Sequence, residues 1–436
     1  LCHIAAIRIS PALNWEVIMP RPKRKIAIVH DFLYCYAGAE RVLEQMLRVF
    51  PDADLFSLFD FLDESERGFI QNKPIHSSFI QRLPWARKNH RMYLPLMPLA
   101  IEQLDVSSYD LVISSSYVAA KGVLTTAGQL HICYCHTPAR FAWDLHHQYL
   151  KESGMLQGAK SLLARSILHY IRGWDVHSAR GVDAFVTNSY YVGRRIRKVY
   201  RRGATTIYPP VDVDYYTPRH DKQEFFLTIS RLVPYKRVDL VVDAFNQTPD
   251  RRLIVIGDGP DFDKIKATAG PNVTLMGQQP ARVLRDYLQR AKAFVFAAEE
   301  DFGIVVVEAQ ACGTPVIAYA RGGACETVID GVTGVFFPEQ TTESLLEGID
   351  AFEEKEDWDS EKARENAERF SAARFRAQFR SLVEAEWTAF RLRSARDQGP
   401  RLHEQADHPL FSKAGELEED HAGAEAAFAP GLEDSW

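Results

Sequence analysis

Between Lys25 and about Arg393, short β-branched runs alternate with amphipathic stretches, and the alternation occurs as two successive series. Such a pattern leaves few folds open, because parallel strands need long crossover connections and helices supply them while covering both sheet faces. The first series holds strand candidates at 25–29, 54–58, 111–114, 131–135 and 184–187; the second holds them at 225–229, 252–256, 273–276, 294–297, 316–319 and 334–337. Between the two lies YPPVDVDYYTPRHDKQE, whose prolines and charges mark a boundary. The expectation is an α/β chain with one parallel-sheet domain over residues 25–210, a linker over 211–224 and a second such domain over 225–369. FSAARFRAQFRSLVEAEWTAFRLR then reads as one long helix within 370–396, and residues 397–436 as an acidic disordered tail.

Composition supports this division and excludes other classes. A chain of 436 residues has room for two or three domains at roughly 150 residues each. With 46% hydrophobic and 25% charged residues it fits neither a wholly disordered chain nor a multi-span membrane protein. The apolar stretch SLLARSILHYI is broken by Arg165 and His169, well short of the run of about 18 that a membrane span needs. The net charge of −6 is concentrated in residues 397–436, where ten acids face two bases. Six cysteines with no CxxC pair suggest a reducing compartment, so a cytoplasmic location is expected. Residues 1–24 read as a non-native or flexible extension, with Met19, followed by PRPKRK, as the expected initiator.

The densest chemistry lies in FVFAAEEDFGIVVVEAQACGTPVIAYARGGACET. A strand leads into a loop with Glu299, Glu300 and Asp301, then Phe302 and Gly303, and a helix opens at Ile304 and stops at Gly313 before Pro315. Backbone N–H groups at that helix start, over Phe302, Gly303 and Ile304, suit an anion such as phosphate. Glu300 in the loop and Glu308 in the helix can each accept from hydroxyls on different parts of one extended ligand. An isolated pair at this spacing is ordinarily a solvated loop acid and a surface helix acid; the FG start, the CGTPV end and the GGACE turn weigh against that here. In LTISRLVPYKRVDLVVDAF, Arg231 and Lys236 occupy a loop at the carboxyl end of a strand, where open α/β sheets bind ligands and where a diphosphate would take charge-assisted hydrogen bonds.

These motifs resemble the family 4 glycosyltransferases, whose pattern ExFGxxxxEAxAxGxPVIA stands here as EDFGIVVVEAQACGTPVIA. The resemblance implies the GT-B architecture: two Rossmann-like domains facing a cleft, a crossover helix returning to the N-terminal domain, and transfer with retention of configuration. It implies that Glu308 binds the donor ribose, Glu300 the donor sugar, and Arg231 and Lys236 the pyrophosphate. VHDFLYCYAGAERVLEQML resembles the family's first loop, with Ala37-Gly38 where a Gly-Gly pair is usual, so Gly38 is assigned to the donor phosphate. CYCHTPARFAWD resembles a bacterial mannosyltransferase-like branch acting in O-antigen and exopolysaccharide biosynthesis. That branch implies an active-site role for His136, which we read as sugar positioning and charge stabilisation rather than attack.

The expected activity is transfer of a hexose, mannose from GDP-mannose, to a lipid-linked or oligosaccharide acceptor in cell-surface polysaccharide biosynthesis. A UDP-sugar donor is the alternative within the family; a sugar-nucleotide epimerase or a non-catalytic sugar-nucleotide sensor are alternatives outside it. No cofactor or metal is expected, since Asp212-Val-Asp214 sits in the linker and reads as a structural turn. Residues 82–101 combine Arg82, Arg87, Lys88 and Arg91 with Trp85 and Tyr93, a mixture suited to peripheral contact with an anionic membrane at the inner face of the plasma membrane. No nucleic-acid recognition motif accompanies the basic clusters, so no nucleic-acid partner is expected.

Overall fold

The computed structural model describes residues 24–355 and 357–397. The expected extension before Arg24 and the expected tail after Asp397 lie outside the described residues. Two parallel sheets form the frame. The first contains β1 (Ile26–His30), β2 (Asp54–Ser57), β3 (Ile75–Ser77), β4 (Leu111–Ser116), β5 (Leu130–Cys135), β6 (Ala184–Thr187) and β7 (Thr205–Thr206), in the order β3-β2-β1-β4-β5-β6-β7. The second contains β8 (Gln223–Ile229), β9 (Leu253–Ile256), β10 (Val273–Leu275), β11 (Ala291–Phe296), β12 (Val316–Tyr319) and β13 (Gly334–Phe337), in the order β10-β9-β8-β11-β12-β13. Every ladder between these strands is parallel.

The central strands are buried along their length, and mostly apolar, because helices cover both faces. In β8, Phe225 and Leu227 enter one core with Phe294, Phe296 and Val306, while Phe226 enters the opposite core with Val241, Val242 and Phe245. Two strands lay outside the sequence expectation. β3 and β7 are edge pieces of three and two residues, polar and largely exposed, and carry too little hydrophobic pattern to be read from sequence.

In both sheets the chain order reverses beside the first strand, between β1 and β4 and between β8 and β11. The loops leaving the carboxyl ends of adjacent strands diverge there, one to each face, and open a crevice. The linker re-enters beside the end of the second sheet: Val211 N–H donates to Phe370 O at 2.9 Å, and Ala372 N–H donates to Val211 O at 3.1 Å. From that point the helix Ala372–Asp397 runs back to the first sheet, as expected of the crossover helix. Its Phe375 and Phe379 pack on Tyr134, and Arg376 donates to Gln45 Oε1 at 2.5 Å. Among the described residues from Trp387 on, which form the last turns of this helix, Trp387 stacks on Phe390.

Asp212 Oδ1 accepts the Tyr215 N–H at 3.0 Å, so this acid closes a turn, as expected. The turn at Gly257 and Gly259, between β9 and the helix Phe262–Thr268, lies against the backbone of Ser230 and Leu232. A Cβ at Gly257 would stand 1.8 Å from Ser230 O, so glycine there lets one turn buttress the Arg231 loop.

Candidate functional site

The sequence-expected residues converge on the two crevices. Arg231 and Lys236 follow β8, and Glu300 follows β11. Lys236 and Glu300 form an ion pair. Burial first, and then the neighbouring Arg140 guanidinium, press the Lys236 ammonium down, while the Asp301 carboxylate acts the other way. Arg231 is exposed and, among the described residues, its guanidinium has no hydrogen bond or ion pair.

Glycines hold this loop in place. Gly323 N–H donates to Glu300 O at 2.8 Å, and a Cβ on Gly323 would stand 2.3 Å from Phe302 Cα. The GGACE turn is thus the platform under the Glu300 loop, and no side chain fits between the two backbones. Gly303 opens the helix Ile304–Ala311 with φ 81°, a conformation that favours glycine. The Phe302 side chain is buried against Tyr208 and Phe370, so only its backbone is left for a ligand. Gly38 opens the helix Gly38–Val49 against the start of the Ile304 helix, and a Cβ on it would meet Ile304 Cδ1 at 3.2 Å. Gly38 and Ile304 are therefore brought together from the two lobes.

Glu308 is buried, and Arg41 of the Gly38–Val49 helix donates to it. Burial opposes the Arg41 charge, but Glu308 outweighs it and holds the guanidinium above its ordinary value. Tyr216 from the linker also bonds Glu308, and burial and that carboxylate raise its phenol. Neither Arg41 nor Tyr216 was a sequence candidate. Arg41 follows directly on the Gly38 loop, and this adjacency is the signal that was available.

His136 follows β5 and is 9% exposed. Its N–H donates to Ser116 O at 2.9 Å and its carbonyl accepts from Asn188 Nδ2 at 3.0 Å, so the backbone is fixed from both sides. Burial, and then His30, lower the imidazole to about 3. A neutral ring can position a sugar through a hydrogen bond, the first of the two roles expected of it, and brings no positive charge to it.

Further contacts cross the crevice. Arg195 pairs with Asp301 and with Asp144, and Arg140 approaches Asp301 at 3.5 Å. Tyr191 donates to Glu299, and Glu326 accepts the Tyr190 and Tyr191 N–H groups at 2.9 and 2.8 Å. Arg140 Nε is buried with no hydrogen-bond partner among the described residues, so it is a spare donor beside Lys236. A cavity of about 520 Å³ opens beside the Tyr190, Tyr191 and Glu326 contacts, lined also by Arg194, Glu299 and Arg321. Among the described residues, no cluster of three or more His, Cys, Asp or Glu is placed to hold a metal ion.

With this geometry in hand, comparison with known proteins gives two family matches: "Glycosyltransferase Family 4" over residues 36–215 and "Glycosyl transferases group 1" over residues 217–370. Among curated relatives, the chain is 29% identical over 217 residues to the GDP-mannose-dependent alpha-(1-6)-phosphatidylinositol monomannoside mannosyltransferase of Mycolicibacterium smegmatis, covering 41% of this chain and 56% of that protein. It is 31% identical over 166 residues to the D-inositol 3-phosphate glycosyltransferase of Mycobacteroides abscessus, covering 33% of this chain and 37% of that protein. The chain thus spans about half or less of the length of these relatives. Among solved structures, Anabaena HepE in complex with UDP and glucose superposes with a TM-score of 0.63 at 19% identity, covering 83% of this chain and 99% of that one. Sucrose-phosphate synthase from Thermosynechococcus elongatus gives 0.65 at 19% identity, covering 84% and 100%.

Proposed function

The chain belongs to the family 4 glycosyltransferases of GT-B fold, and on that premise we propose that it transfers a hexose, mannose from GDP-mannose, to a lipid-linked or oligosaccharide acceptor with retention of configuration. The observation that carries this reading is the meeting of Lys236 with Glu300 between β8 and β11, with Arg231 and Arg140 close by and Glu308 one short helix away. Bound donor would exchange these internal pairs for its own. The diphosphate would take Lys236 and Arg231 from their acid and solvent partners, and the freed carboxylates would accept from sugar and ribose hydroxyls. As the anomeric C–O bond to phosphate breaks, negative charge grows on the departing diphosphate, and the cations held there stabilise it without rearranging. In this reading side-chain cations carry the charge, and neither metal nor cofactor is required.

Mannose is favoured by the mannosyltransferase relative and by the HTPAR segment around His136. Binding calorimetry with GDP, UDP and ADP, followed by product analysis with GDP-mannose and a polyprenyl-linked acceptor, tests the proposal. GDP is expected to bind most tightly and to appear as product beside a mannosylated lipid. Preferential binding of UDP would move the donor to a UDP-sugar, and an epimerised sugar nucleotide would make the protein an isomerase.

The cytoplasmic, membrane-peripheral part of the proposal rests on residues 82–101. Trp85, Met92, Leu96 and Leu99 are exposed, beside exposed Arg82, Lys88 and Arg91. Arg87 is also exposed but is paired with Asp63 at 2.7 Å. No helix among the described residues is long and apolar enough to cross a membrane. Co-sedimentation with anionic vesicles at low salt is expected to show binding that fades as salt rises. At about 1 kcal/mol per basic residue, the K88E/R91E double variant should weaken it by at least tenfold. Vesicle binding unaffected by either change would remove this surface from the account.

A further inference from the structure

A buried chain of hydrogen-bonding side chains ends at His136. Glu40 Oε2 accepts the Ala37 N–H at 3.0 Å, and Glu40 Oε1 faces His30 Nε2 at 3.2 Å. His30 Nδ1 lies 3.0 Å from Ser115 Oγ, and the same Oγ lies 2.9 Å from His136 Nε2. Glu40, His30 and Ser115 are all buried, so each must satisfy its polar atoms within the chain. A carboxylate only accepts, so His30 Nε2 carries the proton and donates to Glu40. The other nitrogen of a neutral His30 then accepts, and the donor it finds is the Ser115 hydroxyl. That hydroxyl has one hydrogen, already committed to His30, so toward His136 its oxygen accepts. With His30 neutral, His136 Nε2 carries the ring proton and Nδ1 the lone pair. Nδ1 has no hydrogen-bond partner among the described residues and is not one of the buried, unpartnered side-chain atoms, so solvent or a ligand reaches it.

We propose that Glu40, acting through His30 and Ser115, is a positioning residue that locks His136 as the Nε2–H tautomer and presents its Nδ1 as an acceptor for a donor-sugar hydroxyl. The sugar-binding half rests on the transferase reading above; the tautomer half does not. The sequence supports the link physically, because Glu40 sits two residues after Gly38, on the same helix start that meets Ile304. The helix that brings the lobes together thus also sets the polarity of the imidazole.

Long-range ¹H–¹⁵N imidazole spectra of the full chain with labelled histidine test this, with the His136 signals assigned by their loss in His136→Ala. The wild-type protein is expected to show His136 protonated at Nε2. In Glu40→Gln the carboxamide satisfies both neighbours only with its oxygen on the Ala37 N–H and its NH₂ on His30 Nε2. Every bond in the chain then reverses, and His136 is expected to be protonated at Nδ1. Ser115→Ala, which cuts the chain, should give a mixture of tautomers and decides the matter if the Gln variant does not fold. With GDP-mannose, Glu40→Gln is expected to lower kcat by about tenfold while KM changes less than twofold. An Nδ1–H signal for His136 in the wild type, or an unchanged tautomer in a folded Glu40→Gln protein, would overturn the relay. An inverted tautomer with undiminished kcat would overturn the acceptor role. If wild-type protein does not turn over GDP-mannose, the donor assignment fails and the spectra still decide the relay.

Discussion

Lys236→Ala is expected to lower turnover by about 10²- to 10³-fold while leaving the fold intact, the usual cost of removing one preorganised group that stabilises transition-state charge. The side chain holds no core together, since among the described residues its ion pair is with Glu300 at the mouth of the crevice. Circular dichroism should therefore be unchanged, and the loss should appear in kcat more than in nucleotide affinity. The pH dependence follows in sign. Burial and Arg140 lower the Lys236 ammonium, so its charge is present at low pH and is lost as pH rises through a value below the ordinary lysine range. The kcat/KM profile should fall on its basic side earlier than an unperturbed lysine would cause, and Lys236→Arg should push that limb upward. A Lys236→Ala enzyme with near-normal turnover would remove the main mechanistic assignment.

Asp175→Ala is expected to destabilise the protein by about 3–5 kcal/mol, the cost of leaving a buried charge without its partner. The Asp175 carboxylate accepts from Lys121 Nζ at 2.5 Å, from Trp143 Nε1 at 2.8 Å and from Tyr200 OH at 3.0 Å. The Lys121 and Asp175 side chains are 2% and 0% exposed. Burial works against the Lys121 charge, but Asp175 overrides it and holds the ammonium above its ordinary value. Removing the acid strands the buried donors of Lys121 and Tyr200 and the half-buried Trp143 N–H at once, and the loop from His136 to Asp144 loses its tether through Trp143. Denaturant unfolding of Asp175→Ala checks the magnitude. Lys121→Met/Asp175→Leu, which removes both charges, should recover much of the loss, whereas a single variant as stable as wild type would show that this cluster does not anchor the loop.

The contrast between these two residues shows what sequence could reveal. Lys236 lies in a short local motif, strand then loop then helix, and its placement follows from local pattern alone. The same holds for Glu300, Gly303 and Glu308, whose spacing is set within one strand–helix unit. Lys121 and Asp175 are 54 positions apart and meet only because the short turn Ala120–Gly122 packs against the helix Ala159–Ser178. Nothing in either neighbourhood announces the pair. The relay behind His136 was hidden for the same reason, since His30 and Ser115 become neighbours only when β1 pairs with β4 in register. The protonation of His136 was not legible either, because burial, which one sequence cannot report, is what lowers its imidazole. The parallel strands with clear β-branched runs were readable because burial on both faces writes a continuous apolar stretch, whereas the short polar edges β3 and β7 leave no such trace.

A crystal of the protein soaked with GDP addresses the central claim most directly. The account predicts the diphosphate against Arg231 and Lys236, the ribose hydroxyls on Glu308, and the Lys236–Glu300 and Arg41–Glu308 pairs opened to admit them. Nucleotide bound elsewhere, with both pairs still closed, would contradict it.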